Sequence, residues 1–295
     1  MKKQVSNGVK KILTLISLLY LSTASAQLVV NGPFTAQQLA EILAGPGFTV
    51  TNATLTGAAI AAGTFDGTNS NIGANSGVIL CSGDINNAVG PNISPSTSTN
   101  NGTPGAAELD SIVAPNLTQD AMILQFDFEV QTEFITFNYV FASEEYEEFV
   151  GSSFNDVFAF FISGPGIIGE ENIALIPNTN VPVTINNVNQ NSYWQYYVNN
   201  DFGTTIEYDG FTTLLAATKD SLIPCETYTL KLMIADVSDG IYDSGVFLEE
   251  NSLVQGTVDA QTNTINADND ALEGCIKASF TFTIDTIKAT PTVIN

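Results

Sequence analysis

Most of the chain alternates between apolar and polar residues with a period of two, which is typical of β-strands that cover a core on one face. The alternation is clearest at residues 122–128 and returns at 230–234. Residues 157–162 (VFAFFI) are apolar at every position, so this strand is expected in the middle of a sheet. Strands are predicted at residues 48–55, 77–81, 121–130, 134–142, 156–163, 172–177, 182–188, 228–236 and 244–249.

A helical period occurs once, near the start of the alternating region. Thr35 can cap a helix with Leu39, Ile42 and Leu43 on one face, and the Gly-Pro-Gly of residues 45–47 would end it. Many short strands with Gly and Pro turns and one short N-terminal helix predict a mainly β fold, a β-sandwich of jelly-roll or lectin-like type. Residues 86–105 have no period and predict a mobile polar loop without chemical function.

Changes in this pattern divide the chain into three segments. Residues 1–26 contain four lysines, an apolar run and Ala-Ser-Ala, the order of a secretory signal peptide. Residues 27–253 are the predicted β-sandwich domain. Residues 254–295 combine a polar linker with an alternating run at 277–285, which we interpret as the first strands of a truncated second β-module.

Charge and composition narrow the possible functions. The chain has 31 acidic and 8 basic residues; without residues 1–26 only four lysines remain, a formal net charge of −27. Such a surface repels phosphate backbones and anionic membranes, so we expect no nucleic-acid binding. No apolar segment after residue 26 is long enough to cross a bilayer, so we expect no membrane insertion of the exported chain. Histidine is absent, which excludes Ser-His-Asp triads and histidine-ligated zinc.

Three cysteines, Cys81, Cys225 and Cys275, allow at most one internal disulfide in an exported chain. Cys81 and Cys225 both fall within the main domain and are the predicted pair. Cys275 would then find a partner, if any, beyond residue 295.

Two acidic segments form the candidate site, each mounted between predicted strands. Carboxylates gathered without basic partners repel one another until protons or a cation neutralise them. Calcium, which takes about six to eight oxygen ligands at flexible geometry, is the predicted cofactor, and solvated acidic loops are the alternative. The predicted metal ligands are Glu144, Glu145, Asp156, Asp236, Asp239 and Asp243.

Aromatic residues near these acids suggest a sugar-stacking surface. The predicted ligand-binding residues are Tyr146, Asn155, Tyr193, Trp194 and Tyr196. The same acids could instead form a glycosidase pair, one residue as acid and one as nucleophile or base. Because the carboxylate spacing is not diagnostic, we expect no enzymatic activity and no catalytic residue.

Residues 137–166 (FNYVFASEEYEEFVGSSFNDVFAFFISGPG), followed by 172–177, 181–189, 207–215 and 223–249, closely resemble the choice-of-anchor L domain of secreted bacterial proteins. The resemblance covers roughly residues 32–252. It implies an N-terminal module of a large surface or secreted protein, often of gliding Bacteroidetes, with a C-terminal sorting or anchoring signal such as that of type IX secretion. It brings no established activity. Residues from 273 onward (EGCIKASFTF) resemble the start of an Ig-like or Calx-β-like module.

A weaker resemblance is to legume-type lectins, in which an aspartate before an apolar strand helps to hold sugar beside calcium and a transition metal. Asp156 precedes such a strand here. However, Val157 stands where those lectins have glycine, and no histidine is present for the transition metal. The resemblance therefore implies one calcium ion rather than a pair of metals.

These observations predict a non-enzymatic, adhesin-like binding module that is secreted or held at the cell surface. Calcium would stabilise it, and its acidic and aromatic loops would contact an extracellular glycan or another surface ligand. Its other expected partner is the export machinery. A carboxylate-based carbohydrate-active enzyme and a purely structural surface module remain as alternatives.

Overall fold

The computed structural model describes residues 27–45 and 48–253, together with the backbone of residues 258–263 and 279–284. The predicted signal peptide and Cys275 lie outside the described residues. The helices are α1 (Ala36–Ala44) and α2 (Ala107–Val113). The strands are β1 (Val29–Asn31), β2 (Val50–Thr56), β3 (Ala62–Asp66), β4 (Ser76–Cys81), β5 (Thr118–Glu129), β6 (Ile135–Ser143), β7 (Val157–Ser163), β8 (Glu171–Asn172), β9 (Tyr197–Asn199), β10 (Gly210–Thr212), β11 (Leu215–Lys219), β12 (Thr227–Val237), β13 (Ser244–Glu249), β14 (Val258–Asn263) and β15 (Ser279–Ile284).

Two antiparallel sheets build the main domain. The first has the order β1-β3-β4-β13-β6-β10-β9, with β11 also paired to β6. The second has the order β2-β5-β12-β7-β8. Apolar side chains of both sheets meet in one cluster, the main core, which confirms the predicted β-sandwich.

Strand alternation explains why several strands are apolar on both faces. On β6, Tyr139 and Phe141 enter the main core, whereas Val140 and Ala142 enter a second core on the outer face of the first sheet. The buried strand β7, which lies between β12 and the two-residue strand β8, likewise divides its side chains, with Phe158 facing the main core. Its intervening residues enter a third core on the outer face of the second sheet.

The helix α1 forms as its sequence predicts. The Thr35 hydroxyl accepts the Gln38 backbone N–H at 3.3 Å, and the Gln38 side chain accepts the Thr35 N–H at 3.0 Å. Leu39 and Leu43 are buried in the main core. Gly45 ends the helix with a positive φ of 74°, which glycine adopts without steric cost.

The prediction of a single helix is wrong, because α2 covers the third core. Its residues Leu109 and Val113 pack on the second sheet together with Ala159 and Met233. The spacing of Ala106, Leu109 and Val113 follows one helical face, but seven residues are too few for the period to stand out.

Two further strand predictions are only partly right. Residues 172–177 begin in the two-residue strand β8, and the rest of that segment joins residues 182–188 through one isolated bridge, from Leu175 to Pro182. Their apolar residues, including Ile176 and Val183, are nevertheless buried in the main core. Burial without a regular ladder produces the same apolar pattern as a short strand.

The backbone of β14 pairs with that of β15 in a separate two-stranded antiparallel sheet. The alternating run predicted at residues 277–285 therefore contains a strand. Whether this sheet begins an Ig-like module stays a prediction.

Candidate functional site: an acid-rich end of the sandwich

Strand register brings the two acidic segments to one end of the sandwich. Ser143 at the end of β6 lies opposite Ser244 at the start of β13 and opposite Gly210 at the start of β10. In the second sheet, Ala235 near the end of β12 lies opposite Val157 at the start of β7. The loops next to these strand ends therefore converge.

Eight carboxyl groups of the described residues are buried at this place, which we call the acid-rich end. Each of these residues exposes no more than 6% of its surface. They are Asp120, Glu144, Glu145, Asp156, Glu207, Asp209, Asp236 and Asp243. Five of them are among the six predicted metal ligands; the sixth, Asp239, is only half-buried.

Asp156 and Asp236 form the inner pair of the acid-rich end. Ile234 and Phe158 point into the main core, so Asp236 and Asp156 occupy the next inward positions of their strands. The register that pairs Ala235 with Val157 brings these two carboxyl groups opposite each other. Burial and this proximity both disfavour ionising the two groups together.

The Asp156 carboxyl group joins the two sheets. Its Oδ2 accepts the Ser244 hydroxyl at 2.6 Å, and its Oδ1 accepts the Val237 N–H at 2.9 Å. Burial raises the pKa of Asp156 to about 7, although these hydrogen bonds partly oppose the rise.

Asp236 is completely buried, and neither of its oxygens has a hydrogen-bond partner among the described residues. Ser82 and Asp156 lie close enough to influence its ionisation without making a well-formed hydrogen bond. Burial raises the pKa of Asp236 well above its ordinary value, and the charge of Asp156 is the second cause of this rise. An unpartnered buried carboxyl group is costly, so this residue marks a position where a proton or cation is needed.

Glu144 and Glu145 follow the end of β6 in a turn, where each lies near different acids of this end. Within the described part of the chain, neither oxygen of Glu144 nor Oε2 of Glu145 has a hydrogen-bond partner, and all three atoms are buried. Burial, with the charges of Asp209 and Glu207, raises the pKa of Glu144 to about 10. Burial, with the charge of Asp156, raises the pKa of Glu145 to about 9.

Three of the buried carboxyl groups hold the loop at residues 86–105, for which the sequence predicts mobility and no chemical role. Asp243 accepts the Thr99 N–H at 3.0 Å and the Asn87 side-chain amide at 2.8 Å. Asp120 accepts the Asn101 N–H at 2.9 Å and also the Thr103 N–H. The predicted mobility is therefore wrong, because these hydrogen bonds tether the segment to the sandwich.

Glu207 is the third residue that holds this loop. It accepts the backbone N–H groups of Ile93 and Ser94 at 3.1 and 3.2 Å and the Thr97 hydroxyl at 2.7 Å. Sequence reasoning missed Glu207, Asp209 and Asp120. Glu207 and Asp209 flank Tyr208 directly before β10, and this pair of acids was the only sequence feature that could have indicated their importance.

Neither lysine in the described part of the chain pairs with this end. Lys219 pairs with Glu171 at 2.9 Å, and Lys231 pairs with Glu108 at 2.8 Å and Glu170 at 2.7 Å. The charges of the acid-rich end are therefore not compensated by these side chains.

The described carboxylates do not form a ready-made metal cage. No three Asp, Glu or Cys side chains of residues 27–45 and 48–253 come together in a group that could hold one ion. The predicted ligands that the strand register places opposite each other are Asp156 and Asp236, and both are fully buried. Oxygen ligands other than carboxylates would have to complete any metal site here.

The predicted ligand-binding residues are not brought together on one surface. Tyr146 is completely buried, its hydroxyl donates to the Val188 carbonyl at 2.7 Å, and its ring contacts Tyr197, so it does not reach a ligand. Asn155 is half-buried and accepts the Asn186 N–H at 2.8 Å. Trp194 is 70% exposed, whereas the neighbouring residues Tyr193 and Tyr196 pack partly against the main core.

The predicted disulfide between Cys81 and Cys225 is not formed, and both are free thiols. Cys81 is buried in the second core, where its sulfur lies 3.3 Å from the Tyr208 hydroxyl. Cys225 is exposed in the turn before β12, and its N–H donates to the Val130 carbonyl. The two cysteines thus belong to different environments, a buried strand of the first sheet and a surface turn beside the second.

This fold and site define a two-sheet antiparallel β-sandwich with buried acids at one end. Residues 29–254 match the family model of the choice-of-anchor L domain. The chain therefore belongs to the choice-of-anchor L family, a family of surface or secreted proteins without a known enzymatic activity. Comparison with curated proteins and with solved structures finds no match. In the described part of the chain, no helix has the length and apolar character needed to cross a bilayer.

Proposed function

We propose that this chain carries an extracellular, non-enzymatic binding module whose acid-rich end is stabilised by calcium. The observation that carries the calcium part is the unpartnered, fully buried carboxyl group of Asp236 beside Asp156. Since the described lysines pair elsewhere, compensation comes from protons or from a cation taken from the surroundings.

Calcium suits this position because it accepts few carboxylates when carbonyl, hydroxyl and water oxygens complete its shell. Asp236 and Asp156 would supply the charged ligands. The Ser82 hydroxyl lies near Asp236 and accepts the Ser244 N–H at 2.9 Å. A site with only two carboxylates is expected to be weak. Weak sites with Kd values of about 10⁻⁴–10⁻³ M are typical of extracellular modules.

The burial of Glu144 and Glu145 supports a non-enzymatic function. A glycosidase needs both carboxyl groups beside the scissile bond in an open cleft. These two residues expose only 0% and 1% of their surface, so neither lines an open cleft. A polysaccharide would not reach them, and we expect no product release from a polysaccharide panel by the wild-type chain.

A role in adhesion is supported by the family and by the polar loops that gather at the acid-rich end. A glycan ligand is supported by exposed aromatic residues such as Trp194, on which a sugar ring can stack. A purely structural module would instead keep its buried carboxyl groups protonated and would need no cation.

A melting experiment separates these possibilities. Calcium at about tenfold to hundredfold its Kd adds about 1.4–2.7 kcal/mol to the free energy of unfolding, which raises the Tm by roughly 3–10 °C for a domain of this size. Asp236→Asn should abolish the rise. Asp220→Asn, the matched change at an exposed acid far from this end, should retain it.

Calorimetry gives a second readout, since calcium must displace protons from carboxyl groups with raised pKa values. Titration in two buffers of different ionisation enthalpy should reveal proton release. No shift of the Tm, or an equal shift with magnesium, would remove the calcium part and leave the structural alternative.

A further inference from the structure

An open cleft of about 350 Å³ lies next to the acid-rich end. Residues 92–95 form one wall, and Asp201, Phe202 and Asp209 form the other. We call it the Ile93–Phe202 cleft. It does not include the aromatic residues for which the sequence predicts ligand binding.

The walls of this cleft are fixed by hydrogen bonds across it. The Asn92 N–H donates to the Gly203 carbonyl at 2.9 Å, and the Asn92 side-chain amide donates to Asp209 Oδ1 at 2.7 Å and to the Asn200 carbonyl at 3.2 Å. Glu207 holds the next residue of the same wall, because it accepts the Ile93 N–H at 3.1 Å. The cleft is therefore preformed, which lowers the entropic cost of binding.

Two large apolar side chains of the cleft are left in solvent. Phe202 is 93% exposed and Ile93 is 82% exposed. The backbone of Phe202 has a φ of 65°, a left-handed conformation that is uncommon for an aromatic residue. The fold thus holds this ring outward at some cost instead of burying it.

The polar groups of the cleft are mainly acceptors. Asp209 is 6% exposed, and its Oδ2 accepts no hydrogen bond from the described residues, whereas the amide of Asn92 is already committed. Asp201 adds a second, exposed carboxylate. Burial and the neighbouring acids raise the pKa of Asp209 to about 6, so it is mostly ionised at neutral pH.

A saccharide needs both donors and acceptors from its site, and this cleft has few free donors. An ammonium group brings three donors and a guanidinium five, without an acceptor. Both are attracted by carboxylates and by the face of an aromatic ring, and the apolar stem of a basic side chain packs on apolar walls. The strongly acidic chain also favours a cationic partner.

We propose that the Ile93–Phe202 cleft binds a lysine or arginine side chain presented by the surface of a partner protein. The proposal rests on the function proposed above, a binding module, and names the chemistry of its partner. It does not depend on calcium.

The test uses the purified full chain and the peptides acetyl-Gly-Lys-Gly-amide and acetyl-Gly-Arg-Gly-amide, titrated at physiological salt and followed by NMR shifts. The norleucine and citrulline peptides are the uncharged controls. We expect the basic peptides to shift resonances of residues 92–95 and 201–209, and the controls not to. Phe202→Ser and Asp209→Asn should each weaken binding about fivefold or more, a loss of about 1 kcal/mol or more.

Two matched variants distinguish binding in the cleft from non-specific electrostatic attraction to the acidic surface. Asp220→Asn removes the same charge elsewhere, and Ile168→Ser removes another fully exposed apolar side chain; both should bind as the wild type does. The proposal would be overturned if Asp220→Asn weakened peptide binding as much as Asp209→Asn does. It would also be overturned if the chain bound glucosamine oligomers or neutral oligosaccharides instead of the peptides, or if it bound none of these probes. Because Phe202 is exposed, its variant should melt like the wild type. If calcium raises the Tm but the basic peptides do not bind, the proposal for the cleft is refuted and the calcium site is not. If the peptides bind but calcium does not change the Tm, the calcium site is refuted and the proposal for the cleft is not.

Discussion

The carboxylate of Asp243 occupies the space that a side chain at residue 83 would need. A Cβ atom built on Gly83 would overlap both the carboxyl carbon and the oxygens of Asp243. The backbone of Gly83 has no positive φ that would require glycine. Contact with the carboxylate, and not backbone conformation, therefore determines the residue type at this position.

Gly83→Ala should lower the free energy of unfolding by about 3 kcal/mol or more, since overpacking costs about 1–3 kcal/mol and displaced hydrogen bonds to a charged group about 1.5–3 kcal/mol. Gly151→Ala is the control. A Cβ atom at residue 151 would have no atom within 4 Å, and the only unfavourable factor is the positive φ of 83°. This substitution should therefore lower the free energy of unfolding by about 1 kcal/mol. Denaturant unfolding measures both, and equal losses would contradict the role given to Asp243.

The stability of the chain in chelator should decrease as the pH rises from about 5 to about 9. Folding raises the pKa of Glu144 from 4.5 to about 10 and that of Glu145 from 4.5 to about 9. The folded state therefore holds these protons more tightly than the unfolded state does. The stabilisation is complete below the unfolded pKa and is lost as the pH rises through the folded pKa.

Thermal melts across this range, with and without calcium, test the pH dependence. Glu144→Gln should reduce the decrease, because glutamine stays neutral, whereas Glu226→Gln at an exposed position should not. A stability that increases steadily up to about pH 9 would refute buried protonated carboxyl groups at this end.

Glu207→Ala should release the segment at residues 92–97 without unfolding the domain. The amides of Ile93 and Ser94 lose their acceptor, so their hydrogen exchange should accelerate about tenfold or more, given that hydrogen bonds to charged groups contribute about 1.5–3 kcal/mol. Hydrogen–deuterium exchange measures this effect. Glu226→Ala should leave these amides unchanged, and unaltered exchange in Glu207→Ala would show that other contacts hold the loop.

Cys225 should react with a maleimide in the native protein, whereas Cys81 should react only after unfolding. Cys225 is exposed, but Cys81 is fully buried, and burial raises the pKa of its thiol far above the ordinary value. Mass spectrometry of a Cys275→Ser variant would identify the labelled residue. Failure of both cysteines to react in denaturant without reductant would instead support the disulfide that the sequence predicted.

The sequence predicted the sandwich because strand alternation is a local property. Residues 122–128 and 230–234 show which face is buried without any knowledge of their partners. The capped helix at Thr35 is local as well. Helix α2 and the bridges at residues 172–188 escaped prediction because short apolar segments look alike whether they form a turn of helix, a strand or neither.

The candidate site could be predicted only in part. The sequence identified five of the eight buried acids, since they cluster in two segments. It missed Asp120, Glu207 and Asp209, whose importance arises from hydrogen bonds to the loop at residues 86–105. Asp120 lies 19 residues from its partner Asn101, and Glu207 lies 110 residues from its partner Thr97, so neither contact is visible as a local pattern. It also assigned Tyr146 to a ligand, because aromatic residues in acidic loops do not reveal from sequence whether they face solvent or the core.

The tethered loop also has a consequence for the order of folding. The contacts from Glu207 to Thr97 and from Asp243 to Thr99 span 110 and 144 residues. Such distant contacts form only after the intervening strands have closed large loops, which is slow. We therefore expect the Ile93–Phe202 cleft to be among the last features that a refolding chain acquires, so that strand content recovers before the surface of the domain becomes competent to recognise a partner.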